Sequence, residues 1–153
     1  MKEIIITRGR KKLVARMITY HCIIGYDLVN FEKYLRKKNY PFSKNAMENM
    51  NLGSRWQPFK NPPRVFDVDD FKVFLDISGL IKDVQIISIK NGESKIIKAP
   101  NNSRTPFFVA SFGSSGVTVS NQIYIEDSSM KQHFLIETKN DWKTGHMLSI
   151  CEK

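Results

Sequence analysis

The chain has 153 residues, 41% of them hydrophobic and 25% charged, with 24 Lys and Arg against 15 Asp and Glu and a net charge of +9. This excludes a disordered or fibrous polymer and suffices for about one domain. The charge is uneven: residues 1–64 hold fourteen Lys and Arg against four Asp and Glu, and residues 65–153 hold ten against eleven. A local excess of that size needs a polyanionic partner or a shell of water.

In chain order, Ile4 to Thr7 reads as a short strand and Arg8 to Lys12 as a basic turn. The apolar patch Ile4-Ile5-Ile6 is too short for a signal-peptide core, and no run approaches the ~18 apolar residues of a membrane span. The expectation is therefore a chain without a membrane span, cytoplasmic or, in a eukaryotic host, nuclear. Leu13 to Tyr26 is apolar on both faces when extended, which suits a buried strand and is compatible with a helix. Asp27 is a good N-cap for a helix from Leu28 to Lys38, with Leu28, Phe31, Tyr34 and Leu35 on one face and Lys33, Arg36 and Lys37 on the other. Asn39-Tyr40-Pro41 stops that helix. Ser43 can cap a second short one reaching Asn51.

Pro58, Pro62 and Pro63 mark a linker where the charge also changes. Beyond it the pattern turns to strands. Phe71, Val73, Leu75 and Ile77 alternate with more polar residues, and Val84 to Lys90 follows. Asn91-Gly92 signals a type I′ hairpin, because both central residues of that turn need positive φ. Glu93 to Lys98, Pro106 to Phe112, Val117 to Ile125 and Gln132 to Thr138 complete about six strands at roughly ten-residue spacing.

The expected fold is α+β. A basic strand–helix–helix segment (1–57) and a Pro-rich linker (58–63) precede an antiparallel β-sandwich domain with a short C-terminal tail (64–153).

Two basic clusters stand out: Arg8, Arg10, Lys11, Lys12 and Arg16 near the N-terminus, and Lys33, Arg36, Lys37 and Lys38 on the helix. Such side chains neutralise phosphates and release counterions. Tyr20, Tyr26, Tyr34 and Tyr40 are interleaved with them and could stack unpaired bases. The leading expectation is a non-enzymatic protein that binds nucleic acid, RNA included, or another polyanion through its N-terminal half. The β half would supply a scaffold or self-association. A small basic chain of this kind fits a viral or mobile-element origin.

Pro62 to Lys98 brings an acidic lead-in, Asp76-Ile77-Ser78-Gly79, Lys82-Asp83-Val84 and Asn91-Gly92 in succession. This stretch resembles the opening of the α-crystallin domain of small heat-shock proteins, and a looser likeness extends to residue 150. Ser78 stands where the family has proline. The family's glycine-containing motif before the last strand has no counterpart. The resemblance implies an oligomeric chaperone in which Leu148 and Ile150 dock in a neighbour's groove.

His21, His133 and His146 are the only histidines. Converging on one phosphate, two of them could cleave RNA by general acid–base catalysis, which makes a metal-independent ribonuclease or toxin the third reading. Their spacing does not require convergence, and no catalytic residue is assigned. Gly113-Ser114-Ser115-Gly116 lacks the Lys and helix of a phosphate loop. Asp67, Asp69 and Asp70 lack the remaining oxygen ligands of a calcium loop. No C-x-x-C or comparable zinc spacing exists, so no metal or cofactor is expected. Cys22 and Cys151, near opposite ends, suggest free thiols in a reducing compartment.

Overall fold

The computed structural model describes residues 2–9, 19–40, 42–43, 66–99, 104–113, 116–126, 131–141 and 145–153. Ten strands and two helices are described, in two sheets. The first sheet comprises β1 (Lys2–Arg8), β5 (Ser94–Ala99), β9 (Gln132–Asp141) and β10 (Gly145–Glu152), in the order β10-β9-β1-β5. The second comprises β2 (Tyr20–Ile24), β3 (Phe42–Ser43), β4 (Gln85–Ile89), β6 (Thr105–Gly113), β7 (Gly116–Val119) and β8 (Ile123–Ile125). Its order is β3-β7-β6-β2-β4, with β8 also paired to β6. Neither sheet is purely antiparallel, because β1 runs parallel to β9 and β3 parallel to β7.

One core lies between the sheets. Ile4, Ile6, Ile97, Phe134, Ile136, Leu148 and Ile150 from the first share a cluster with Tyr20, Cys22, Ile24, Ile89, Phe107, Val109 and Ile125 from the second. The opposite face of the second sheet, with Ile23, Phe108, Ala110, Val117 and Val119, is covered by helices α1 (Leu28–Lys37) and α2 (Val68–Ile77). This explains why β2 is apolar on both faces: it is covered on one by the first sheet and on the other by α1 and α2. The helix layer is packed with rings, and Phe31 lies 5.2 Å from Phe71 and 5.0 Å from Phe108.

Both helices carry the caps their sequences require. Asp27 Oδ1 accepts from the Asn30 amide at 2.8 Å, and Asp67 Oδ1 from the Asp69 amide at 2.9 Å. At their ends Asn39 (φ 60) and Gly79 (φ 76) take the left-handed conformation. The amides of Tyr40 and Leu80 then reach back to Leu35 O and Leu75 O, both at 2.8 Å, which closes two Schellman motifs.

Three expectations need correction. Residues 71–77 form the body of α2, not a strand. Asp67 caps the segment, Asp69 and Asp70 suit the positive end of its dipole, and only Phe71 and Leu75, one turn apart, are buried. Asn91-Gly92 closes no hairpin, since β4 pairs with β2 and β5 with β1. It is instead a turn between sheets, closed by the Glu93 amide on Lys90 O at 3.0 Å, in which only Gly92 has positive φ. Ser43 pairs with Thr118 in β3, and the short helix expected after it, 44–51, lies outside the described residues. Finally, residues 145–152 are a full strand, not a tail. The linker at 58–63 also lies outside the described residues.

The interruption between β7 and β8 ties the layers together. Ser120 exchanges two bonds with Val109: its amide donates to Val109 O and its Oγ accepts from the Val109 amide, each at 2.9 Å. Asn121 reaches the first sheet: its Nδ2 donates to Ile150 O at 2.9 Å, and its Oδ1 accepts from the Ile150 amide at 3.1 Å. Gln122 Oε1 accepts from the Leu28 amide at 2.7 Å, satisfying a free donor in the first turn of α1.

Candidate nucleic-acid interface

The basic residues of α1 divide as the helix period dictates. Lys33, Arg36 and Lys37 are exposed, Lys38 is half-buried, and Leu28, Phe31, Tyr34 and Leu35 face the sheet. Arg36 and Lys37 sit in the last turn, where the helix dipole favours cations.

Strand register shows where this helix end lies. Tyr20 is opposite Ile89 on one side and Ser111 on the other, Ser111 is opposite Thr118, and Thr118 is opposite Ser43. One row therefore crosses the second sheet from Ile89 to Ser43, five residues beyond Lys38. At the Ile89 side of the row, Arg8 Nη1 donates to Ile89 O at 3.0 Å, and the Gly9 amide donates to Ile136 O at 3.3 Å. Gly9 and Thr19, which flank residues 10–18, are thus at the same end of the molecule as the C-terminus of α1. Arg10, Lys11, Lys12 and Arg16 lie outside the described residues.

Arg8 is not part of this surface. It is 1% exposed, and its guanidinium lies 3.5 Å from the centroid of the Tyr20 ring. Tyr20 in turn donates its hydroxyl to Thr138 Oγ1 at 3.3 Å. Burial pushes the Arg8 guanidinium below its usual pKa, against a smaller opposing pull from Tyr20. Burial pushes the Tyr20 phenol up, against its bond to Thr138 and the nearby Arg8 charge. A buried guanidinium held over a ring and on a backbone carbonyl is a structural element joining the sheets, and it cannot meet a phosphate.

The tyrosines also leave the interface. Tyr20, Tyr26, Tyr34 and Tyr40 are all buried, so none offers a face for base stacking. Tyr34 and Tyr40 donate their hydroxyls to Asp70 Oδ2 at 2.7 and 3.3 Å. That assigns Asp70, one of the clustered aspartates, to a buried aromatic layer. Asp67 caps α2, and no group of three metal-binding side chains occurs among the described residues.

The histidines do not converge. His21 is on the helix-facing side of the second sheet, where its Nδ1 meets Ser88 Oγ at 3.1 Å. His133 is on the outer face of the first sheet, where its Nε2 meets Thr7 Oγ1 at 2.9 Å. Two sheets separate them. His146 belongs to β10. Leu148 and Ile150, expected as a docking tail, are buried in the chain's own core.

The sequence reading missed the exposed side of α2, where Lys72, Val73, Asp76 and Ile77 lie. A strand pattern assigned two of these four to a core. Asp67 and the acidic first turn were the signal for a helix. Comparison with protein families, curated proteins and solved structures found no match. Among the described residues, no helix is long and apolar enough to cross a membrane.

Proposed function

We propose that the protein binds nucleic acid through one basic end, without catalysis, by contacts to the phosphate backbone. The exposed residues of α1 (Lys33, Arg36, Lys37 and the half-buried Lys38) form one part of that end. Arg10, Lys11, Lys12 and Arg16, which lie between Gly9 and Thr19 in the chain, would supply the other. The two sheets would act as a sandwich scaffold for both. The supporting observation is the register row that puts the C-terminus of α1 and the anchors of residues 10–18 at one end of the fold. Burial of all four tyrosines favours backbone recognition over base stacking and implies little sequence preference.

The test is fluorescence anisotropy with labelled single-stranded RNA and duplex DNA across a salt series. Affinity should fall steeply with salt, by a log–log slope of roughly 0.7 to 0.9 for each phosphate contact. The triple change Arg36→Glu, Lys37→Glu, Lys38→Glu should weaken binding and flatten that slope. A chain that binds neither probe at low salt, or a triple variant that binds like the parent, refutes the proposal.

A further inference from the structure

His21 and Ser88 are opposite each other in the pairing of β2 with β4, on the same face as Ile23 and Ile86 and next to them in register. Ile23 and Ile86 pack under the helices, where α2 buries Phe71 and Leu75. At 100° per residue, Lys72 stands about 80° from the direction of Phe71 and Leu75, on the flank opposite Phe74. The Phe74 flank is taken by α1, whose Tyr34 lies 4.7 Å away, ring to ring. Lys72 is therefore on the side of β4, the edge strand of the second sheet. Its charge reaches the His21 ring: burial first, and Lys72 after it, hold that imidazole below its usual pKa. Ser88 and Lys72 are exposed, and so is Lys90, two residues beyond Ser88. Asp69 and Asp76, on the same side of α2, are turned about 60° and 40° further from the sheet. Among the described residues, neither forms an ion pair with Lys72. Across the other edge of β2, His21 is opposite the uncharged Ala110.

We propose that Ser88, Lys72 and Lys90 form a phosphate-binding site that opens when His21 is protonated. A charged imidazole beside ammonium groups is unfavourable when the site is empty, and an anion among them reverses this. Ser88 links the ring to the surface, because its Oγ is 3.1 Å from His21 Nδ1. The neutral ring can accept there, whereas the charged ring can only donate. Protonation thus makes Ser88 Oγ the acceptor and leaves its own O–H to donate outward, beside the lysines. Ser88 and the two lysines touch the oxyanion, and His21 is a positioning residue that acts through Ser88. The pair His21 and Ser88 is next to the row of Tyr20 and Ile89, hence at the basic end. A backbone phosphate of nucleic acid and a free phosphate present the same oxygens here. The site does not depend on the nucleic-acid reading; only the source of the phosphate does.

Sulfate serves as the probe, because it has the shape of phosphate and keeps its charge over the range where histidine titrates. It is added to the full chain, freed of nucleic acid, against chloride at equal ionic strength, and followed by NMR at the Ser88 amide and the His21 ring. Sulfate should bind at least about tenfold more tightly at about pH 5 than at about pH 7.5, and by reciprocity it should raise the midpoint of the His21 titration. Ser88→Ala, at an exposed site, should remove both effects while His21 still titrates. His21→Gln should leave weak binding that no longer depends on pH, and Lys72→Gln should weaken binding at both pH values. Equal sulfate binding at the two pH values, a His21 midpoint indifferent to sulfate, or a Ser88→Ala variant that behaves like the parent overturns the proposal. Single-stranded RNA separates the sources. An RNA affinity that rises at the lower pH in the parent but not in Ser88→Ala assigns the site to a backbone phosphate. An RNA affinity that does not, beside an intact sulfate effect, assigns it to free phosphate.

Discussion

Asn121 offers the sharpest test of the fold. Its side-chain amide pairs with both polar groups of the Ile150 backbone, at 2.9 and 3.1 Å, while Ile150 also lies opposite Ile136 in the ladder with β9. In an antiparallel pair, alternate residues turn their backbone groups away from the neighbour. The amide of Lys153, which is opposite His133, bonds inward, as do the residues at every second position before it, so Ile150 points outward. Asn121 therefore covers the middle of the free edge of the first sheet and at the same time joins it to the second. Asn121→Ala removes two hydrogen bonds, each worth about 0.5–1.5 kcal/mol. The site is open enough for water to replace part of this, so the loss should be about 1–2 kcal/mol, or roughly 2–8 °C in Tm for a chain of this size. Asn121→Asp should cost more: it retains the acceptor, loses the donor, and sets a carboxylate oxygen against Ile150 O. Urea denaturation gives the free energies, with an unchanged slope. Amide exchange at Ile150 should accelerate in both variants. If both lie within about 0.5 kcal/mol of the parent, the clamp adds nothing and this reading of the edge is wrong.

Other outcomes follow from individual sites. Gly25 has φ +89, and a Cβ there would run into the Asp83 carbonyl oxygen. Gly25→Ala should therefore destabilise by about 2–4 kcal/mol, read by the denaturation midpoint, whereas Gly79→Ala meets no atom and should cost only about 1 kcal/mol for its positive φ. Cys22 is buried, and burial pushes its thiol up to about 12, while Cys151 is exposed. Native protein at pH 8 should take up one equivalent of an alkylating reagent, at Cys151 by peptide mapping, and a second only in denaturant. Burial, with a further push from Lys72, holds the His21 imidazole below its usual pKa, so folding favours the neutral ring. Its contribution is complete above about pH 6.5 and is lost as pH falls from there through the lowered folded value. Stability curves between pH 7.5 and 5 should fall more steeply for the parent than for His21→Gln, and parallel curves would exclude the effect.

What could be read in the sequence was whatever depended on near neighbours. Asp27, the spacing of Leu28, Phe31, Tyr34 and Leu35, and the stop at Asn39 specify α1 within a dozen residues, and the helix is where they put it. The two apolar faces of β2 similarly signalled burial on both sides. Residues 71–77 were misread because Phe71, Val73, Leu75 and Ile77 satisfy a two-residue period while Phe71 and Leu75 alone satisfy the helical one. The local decider was the N-cap at Asp67, not the hydrophobicity. Asn91-Gly92 gave a correct turn and a wrong pairing, since a turn signal cannot say whether the chain returns beside its own strand or crosses to another sheet. At the basic end, the charges on α1 were legible from helical spacing. The inward position of Arg8 was not, because it rests on Tyr20, Ile89 and Thr138, which are distant in the sequence.

The place of β1 has a consequence for how the chain acquires its structure. β1 is an interior strand held by β5 on one side and β9 on the other, and Lys2 bonds to Gln132, 130 positions away. During synthesis its second neighbour emerges about 130 residues after it. At the roughly 5–20 residues per second of ribosomal elongation, β1 must wait several seconds with at least one edge bare. Its run Ile4-Ile5-Ile6 is then exposed to other nascent chains, and the neighbouring arginines and lysines at positions 8–12 are placed to repel them.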